Sequence, residues 1–174
     1  MEAAAFGALL GSALLRRVTD QNKVQQFAAL MRTRLAGKGY RLLYTWSRDG
    51  RTNASFHARC DSQVGGITRG LGLCFVTLWL QGPTLVIVRS TMGHTFGGYA
   101  SASWNSASWI NVGGCFLFLV ENPHNDAPTC FECKNTANAM LGSASYGPSF
   151  GSGHDICMHP GSDAGQSYTS FPHG

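Results

Sequence analysis

A chain of 174 residues holds one domain with a real core and is too short for two comfortable ones. With 44% apolar and only 13% charged residues it is excluded from the disordered class, and 22 glycines among many Ser, Asn and Asp call for numerous tight turns. The net charge of +4 is uneven, eleven bases against four acids through Arg69 and two against five beyond, yet no long run of like charge supports nucleic-acid binding.

Residues 1–15 are apolar and Ala-rich. Glu2 precedes the run and Arg16 and Arg17 follow it, the reverse of the charge order of a secretory signal. Residues 1–18 therefore read as an N-terminal extension, and the chain as intracellular with reduced thiols. Thr19-Asp20 is a helix start. Val24, Phe27, Ala28, Leu30, Met31 and Leu35 then recur at helical steps to about Ala36, where Gly37 and Gly39 end the pattern. Lys23, Arg32 and Arg34 are expected away from that apolar stripe.

Tyr40 to Trp46 reads as a strand and Arg48-Asp49-Gly50 as a turn, in which glycine can take a positive φ. Asn53 is placed to cap a short helical turn over residues 54–59 that sets Phe56 and Cys60 on one side. Leu71 to Leu80 is too short to span a membrane and has Arg69 beside it. Thr84 to Thr91 is a β-branched strand, Met92-Gly93-His94 a turn, and Thr95 to Ser101 the second arm of a hairpin. Gly97 and Gly98 inside that arm mark a bulge or the close approach of another backbone.

Trp104 and Trp109 are expected as plugs over the core edge. Cys115 to Val120 is a buried strand with Pro123 as its stop, and further strands are expected over 128–134, 154–158 and 167–171. Turns fall at 145–148 and 151–153. One helix followed by antiparallel strands makes an α+β, β-rich chain, an antiparallel β-sandwich flanked by helices.

Six cysteines stand at 60, 74, 115, 130, 133 and 157. Cys130 and Cys133 form a C-x-x-C pair, and His154, Cys157 and His159 are the further candidate zinc ligands. Against a metal site, no second tight pair exists, 130 and 133 fall on a predicted strand, and 154 and 157 face opposite sides of another. Cys60 with His57 is the candidate thiol–imidazole pair, with simple burial of the thiol as the competing reading. Arg48, His57, Asp61 and His154 suit hydrogen-bonding anchors, because buried polar groups must be paired. Asp61 is expected on backbone amides, and His57 against the Trp46 or Phe56 ring. A zinc- or thiol-dependent enzyme or redox protein is the alternative to a chain with no active site.

Tyr40 to Tyr44, Ser47-Arg48-Asp49-Gly50 and Phe56-His57-Ala58-Arg59-Cys60-Asp61 are followed by Gly82-Pro83-Thr84-Leu85 and Gly93 to Tyr99. Ala107-Ser108-Trp109, Phe116 to Leu119, Ser145 to Gly151 and Gly153-His154-Asp155-Ile156 continue the order. Across roughly residues 20–173 this succession resembles the TLDc domains of eukaryotic oxidation-resistance proteins. The resemblance implies a domain over 19–174 whose motif residues Arg48, Asp49, Gly50, Phe56, His57, Cys60, Asp61, Gly97, Gly98, His154 and Asp155 are structural. It also implies a cytoplasmic, non-catalytic protein-binding module without a cofactor or transmembrane segment. Its associations are protection from oxidative stress and binding of the vacuolar proton-pumping ATPase.

Two departures from the family pattern stand out. Val64 to Gln81 separates the Cys-Asp motif from Gly82-Pro83, and it reads either as a retained in-frame intron or as an inserted strand. After His173 the family continues into a further strand or two, so the sandwich is expected to be incomplete at the C-terminus, with an open sheet edge.

Overall fold

Asp20 opens helix α1 (Gln21–Arg34) by accepting the Asn22 amide on its carboxylate at 2.8 Å. The computed structural model describes residues 18, 20–35, 40–61, 67–69, 73–78, 83–122, 124, 126–159 and 167–169. Residues 1–17, Thr19, Gly37, Gly39, Pro123 and the end of the expected last strand lie outside them. Val24, Phe27, Ala28 and Met31 form the buried stripe of α1, as their spacing demands. Lys23 corrects the expectation of a solvated face: it lies four residues before Phe27, shares its side of the helix and is buried, whereas Arg32 and Arg34 are exposed.

Strand β1 (Tyr40–Thr45) runs straight into a helical turn, α2 (Trp46–Asp49), which takes Trp46 out of the predicted strand. Helix α3 (Asn53–Cys60) is capped by Thr52 and not by Asn53. Thr52 Oγ1 accepts the Ser55 amide at 3.0 Å while Ser55 Oγ accepts the Thr52 amide at 3.1 Å, a reciprocal box. Asn53 is thereby free to donate its side-chain amide to the Ser145 carbonyl at 2.7 Å.

The remaining strands are β2 (Ile67–Arg69), β3 (Leu73–Leu78), β4 (Thr84–Arg89), β5 (Thr95–Ala100), β6 (Trp109–Ile110) and β7 (Phe116–Glu121). They continue with β8 (Thr129–Glu132), β9 (Met140–Leu141), β10 (Ser149–Phe150), β11 (Ile156–Cys157) and β12 (Tyr168–Thr169). The larger sheet has the order β1-β3-β4-β5-β7-β8, with β2 also paired to β3, and the smaller one β12-β11-β10-β9-β6. The expected hairpin is present, β4 against β5 from Thr84↔Ala100 to Arg89↔Thr95. Strand β3 lies between β1 and β4, so the 64–81 segment supplies strands to the sheet.

Side-chain alternation decides the layers. Leu85, Ile87, Tyr99, Phe116, Phe118 and Val120 face α1, while Val86, Val88, Ala100 and Leu117 face Met140, Phe150 and Ile156 of the smaller sheet. The larger sheet is therefore covered on both sides, the reason β4 reads as one continuous apolar run. The architecture is an antiparallel sandwich flanked by helices. Trp104 is deeper than a rim plug: it is wholly buried between the sheets, edge-on to Phe56 and Phe150 at 5.6 Å each. Strands β6, β9 and β10 escape sequence reading because two residues cannot display a period. His154 sits in a turn at φ 56°, which shortens the strand expected over 154–158 to β11.

Candidate functional site

The motif residues gather in two polar knots on α2 and α3. In the first, Asp49 is almost wholly buried and its carboxylate accepts the Thr45 amide at 2.7 Å and the Arg48 guanidinium at 2.6 Å, with Arg59 at 3.5 Å. Arg48 also donates to the Leu43 carbonyl at 3.1 Å, and the Tyr44 hydroxyl donates to the Gly50 carbonyl at 2.6 Å, where Gly50 holds φ at 103°. Burial, the largest influence, works to raise the Asp49 pKa. The Arg48 hydrogen bonds, the Thr45 amide and the Arg48 and Arg59 charges outweigh it and hold the carboxyl below its ordinary value.

A carboxylate depressed in the folded state stabilises above its unfolded pKa, and that stability is lost as pH falls through the folded value. Asp49→Asn is expected to cost about 2 kcal/mol at neutral pH. The gap to the parent in urea midpoint should close as pH drops below 3.8 and through the lowered pKa; a gap independent of acid would contradict the ion-pair assignment.

The second knot is a clasp. His57 Nδ1 donates to Asp61 Oδ1 at 2.7 Å, and Nε2 donates to the carbonyls of Tyr146 at 2.7 Å and Ser143 at 3.1 Å. Carbonyls only accept, so Nε2 carries a proton, and a second proton on Nδ1 would face the Asp61 carboxylate: the surroundings favour the imidazolium form. Burial works against that charge most strongly, but the Asp61 hydrogen bond, the Tyr146 carbonyl, the Asp61 charge and the Ser143 carbonyl outweigh it and raise the pKa. A bridge between Asp61 and Trp104 brings in the next loop, where the Ser106 hydroxyl donates to Asp61 Oδ2. Asp61 thus holds an imidazole and a hydroxyl where backbone amides were expected.

The His57 ring lies 4.9 Å from that of Phe56, as anticipated. Cys60 is buried, and both nitrogens of His57 are turned to Asp61 and the loop carbonyls, so neither serves the Cys60 thiol. Serine, aspartate and histidine are in contact here in the wrong order for a nucleophile relay, because Ser106 donates to the carboxylate and not to the imidazole.

Other expected positions lie apart. Gly97 and Gly98 are in the hairpin. His154 is stacked on Trp109 at 5.7 Å, and Tyr146 bridges the rings of His154 and His159 at 5.6 and 4.9 Å. Burial raises the Asp155 carboxyl pKa. The C-x-x-C pair is split by strand geometry: Cys130 packs on the α1 side and Cys133 on the other. Burial pushes the Cys130 thiol up to about 11 and also raises Cys133. Cys157 Sγ meets His159 Nε2 at 3.4 Å. Among the described residues no group of three or more His, Cys, Asp or Glu is placed to hold a metal ion.

Three features escaped sequence reasoning. Ser106 and Ser143 belong to the clasp and carry no local signal, and Tyr146, although inside the Ser145 to Gly151 motif, joins it through a backbone carbonyl that no side-chain pattern marks. A cleft of about 440 Å³ opens between the sheets, lined by Cys115, Leu117, Phe131, Cys133, Phe150 and Asp155 among others. Finally, α2 and α3 present an arginine face: Arg48 and Arg59 are half or more exposed around Asp49, and exposed Arg51 lies 6.0 Å over the Trp46 ring.

Among the described residues no helix is long and apolar enough to cross a membrane. Neither curated proteins nor solved structures give a match to the chain. The family model of the TLDc domain matches residues 15–173, nearly the whole length, and the chain belongs to the TLDc domain family.

Proposed function

We propose that the chain is a non-catalytic, cytoplasmic protein-binding module serving resistance to oxidative stress, with subunits of the vacuolar proton-pumping ATPase as its partner. Family membership supports the cellular role. The observation that carries the non-catalytic reading is the internal consumption of the motif chemistry. Asp49, His57 and Asp61 spend their polar atoms holding α2, α3 and the 143–146 loop together, and this scaffold role of the motif residues supports a reading without catalysis by them. What faces outward is the arginine face of Arg48, Arg51 and Arg59, which suits an acidic partner surface.

Capture of proton-pump subunits from detergent-solubilised vacuolar membranes by the immobilised chain tests this. Wild type should retain them, and Arg51→Glu with Arg59→Glu should weaken capture about tenfold, with loss at high salt. Equal capture by the double variant would remove the arginine face from the interface. A turnover abolished by one Cys→Ser change would replace the binding reading with the thiol-enzyme one.

A further inference from the structure

Strand register brings together two cysteines that the sequence keeps far apart. Strands β7 and β8 pair with Leu117 opposite Phe131 and Phe116 opposite Glu132. One step further along, the Cys133 amide donates to the Cys115 carbonyl at 3.1 Å, so these two residues stand directly opposite each other. Cys115, Leu117, Phe131 and Cys133 all face the core between the sheets, while Phe116, Phe118 and Cys130 face α1. The two thiols thus leave the same side of neighbouring strands, and both line the 440 Å³ cleft. Cα atoms of such a hydrogen-bonded pair stand about 5.5 Å apart, within the span of roughly 4.4–6.8 Å that a disulfide bridges.

We propose that Cys115 and Cys133 are a peroxide-oxidised pair that closes into a reversible cross-strand disulfide in the wall of this cleft. Cys133 is half-buried and Cys115 fully buried, so the Cys133 sulfur reacts first. Its thiolate attacks one oxygen of a hydroperoxide, the O–O bond breaks, and a sulfenic acid and one water (an alcohol, for an organic hydroperoxide) result. Cys115 then attacks the sulfenic sulfur, the S–O bond breaks, and a second water leaves with the last thiol proton. Two thiols lose two electrons and two hydrogens, and the peroxide takes up both.

Two features make the bridge slow to form and easy to open. The Cys133 thiol now donates to the Asn135 carbonyl at 3.0 Å, and Cys115 Sγ sits 3.3 Å from Ser101 Oγ, so both side chains must turn. Directly opposite Cβ atoms stand about 4.5–5.5 Å apart, whereas a relaxed disulfide wants about 3.8 Å. The strands are drawn together under strain, and strained disulfides are the readily reduced ones. Burial also raises the Cys133 pKa, so closure accelerates as pH rises.

Disulfide mapping of the full chain after hydrogen peroxide treatment, alkylation and digestion without reductant tests the pairing. The expected result is a cross-linked peptide joining Cys115 to Cys133, a chain lighter by two hydrogens, and reversal by dithiothreitol. Cys133→Ser should abolish the cross-link and Cys130→Ser should retain it. Recovery of both Cys115 and Cys133 as alkylated thiols, a Cys130–Cys133 bridge, or Cys133 trapped as the sulfinic acid would each overturn the proposal. The wild-type map decides by itself, so a variant that fails to fold does not blunt the test, and partner binding plays no part in it.

Discussion

Gly97→Ala should cost more than about 3 kcal/mol, enough to leave a domain of ordinary marginal stability largely unfolded. A Cβ at this position would stand 1.9 Å from the Val86 carbonyl oxygen and 2.6 Å from the Phe118 ring. The ring can turn aside, but the carbonyl belongs to β4, held between β3 and β5 by two ladders of hydrogen bonds. Relieving the overlap means moving a central strand and breaking the register of the hairpin. Gly153→Ala is the matched control, since nothing lies within 4 Å of its Cβ, and it should stay within about 0.5 kcal/mol of the parent. Urea unfolding followed by circular dichroism measures both. Equal midpoints for the two variants would show that β4 and β5 do not approach as closely as described.

His57→Ala is expected to cost about 3 kcal/mol at mildly acidic pH, because it cuts three hydrogen bonds of a buried ring and leaves Asp61 with the Ser106 hydroxyl but without its imidazole partner. The sign of its pH dependence follows from the raised pKa. A cation favoured by folding contributes in full below the unfolded value near 6.5, and the contribution disappears as pH climbs through the folded value. The stability gap between parent and variant should therefore narrow on going alkaline. Nitrogen-15 spectra of the imidazole should report both ring nitrogens protonated to a higher pH than in an ordinary histidine, and amide exchange in 143–146 should quicken in the variant. A gap that widens with pH, or a ring that loses its proton below the ordinary value, would refute the clasp.

Local chemistry made much of this molecule readable. The apolar steps from Val24 to Leu35 specify α1, the β-branched run from Thr84 to Arg89 with a glycine-bearing turn specifies the β4–β5 hairpin, and the ordered motifs specify the family. Such signals lie within a dozen residues of each other, and sterics and burial act on them wherever the chain goes.

The sites are another matter, as His57 shows. Its partner Tyr146 is 89 residues away and Asp61 finds Ser106 across 45, contacts with no echo in either neighbourhood. The same holds for the cysteines. Spacing in the sequence associates Cys130 with Cys133, but a strand turns residues three apart to opposite faces, and antiparallel register delivers Cys115 instead. Lys23 is buried because it shares the Phe27 side of α1. Short-range periodicity was enough for α1, the β4–β5 hairpin and β7, and the ordered motifs were enough for the family, whereas the two-residue strands β6, β9 and β10 carry no period to read. Which polar groups meet follows instead from strand register and layer stacking, and long-range packing sets both.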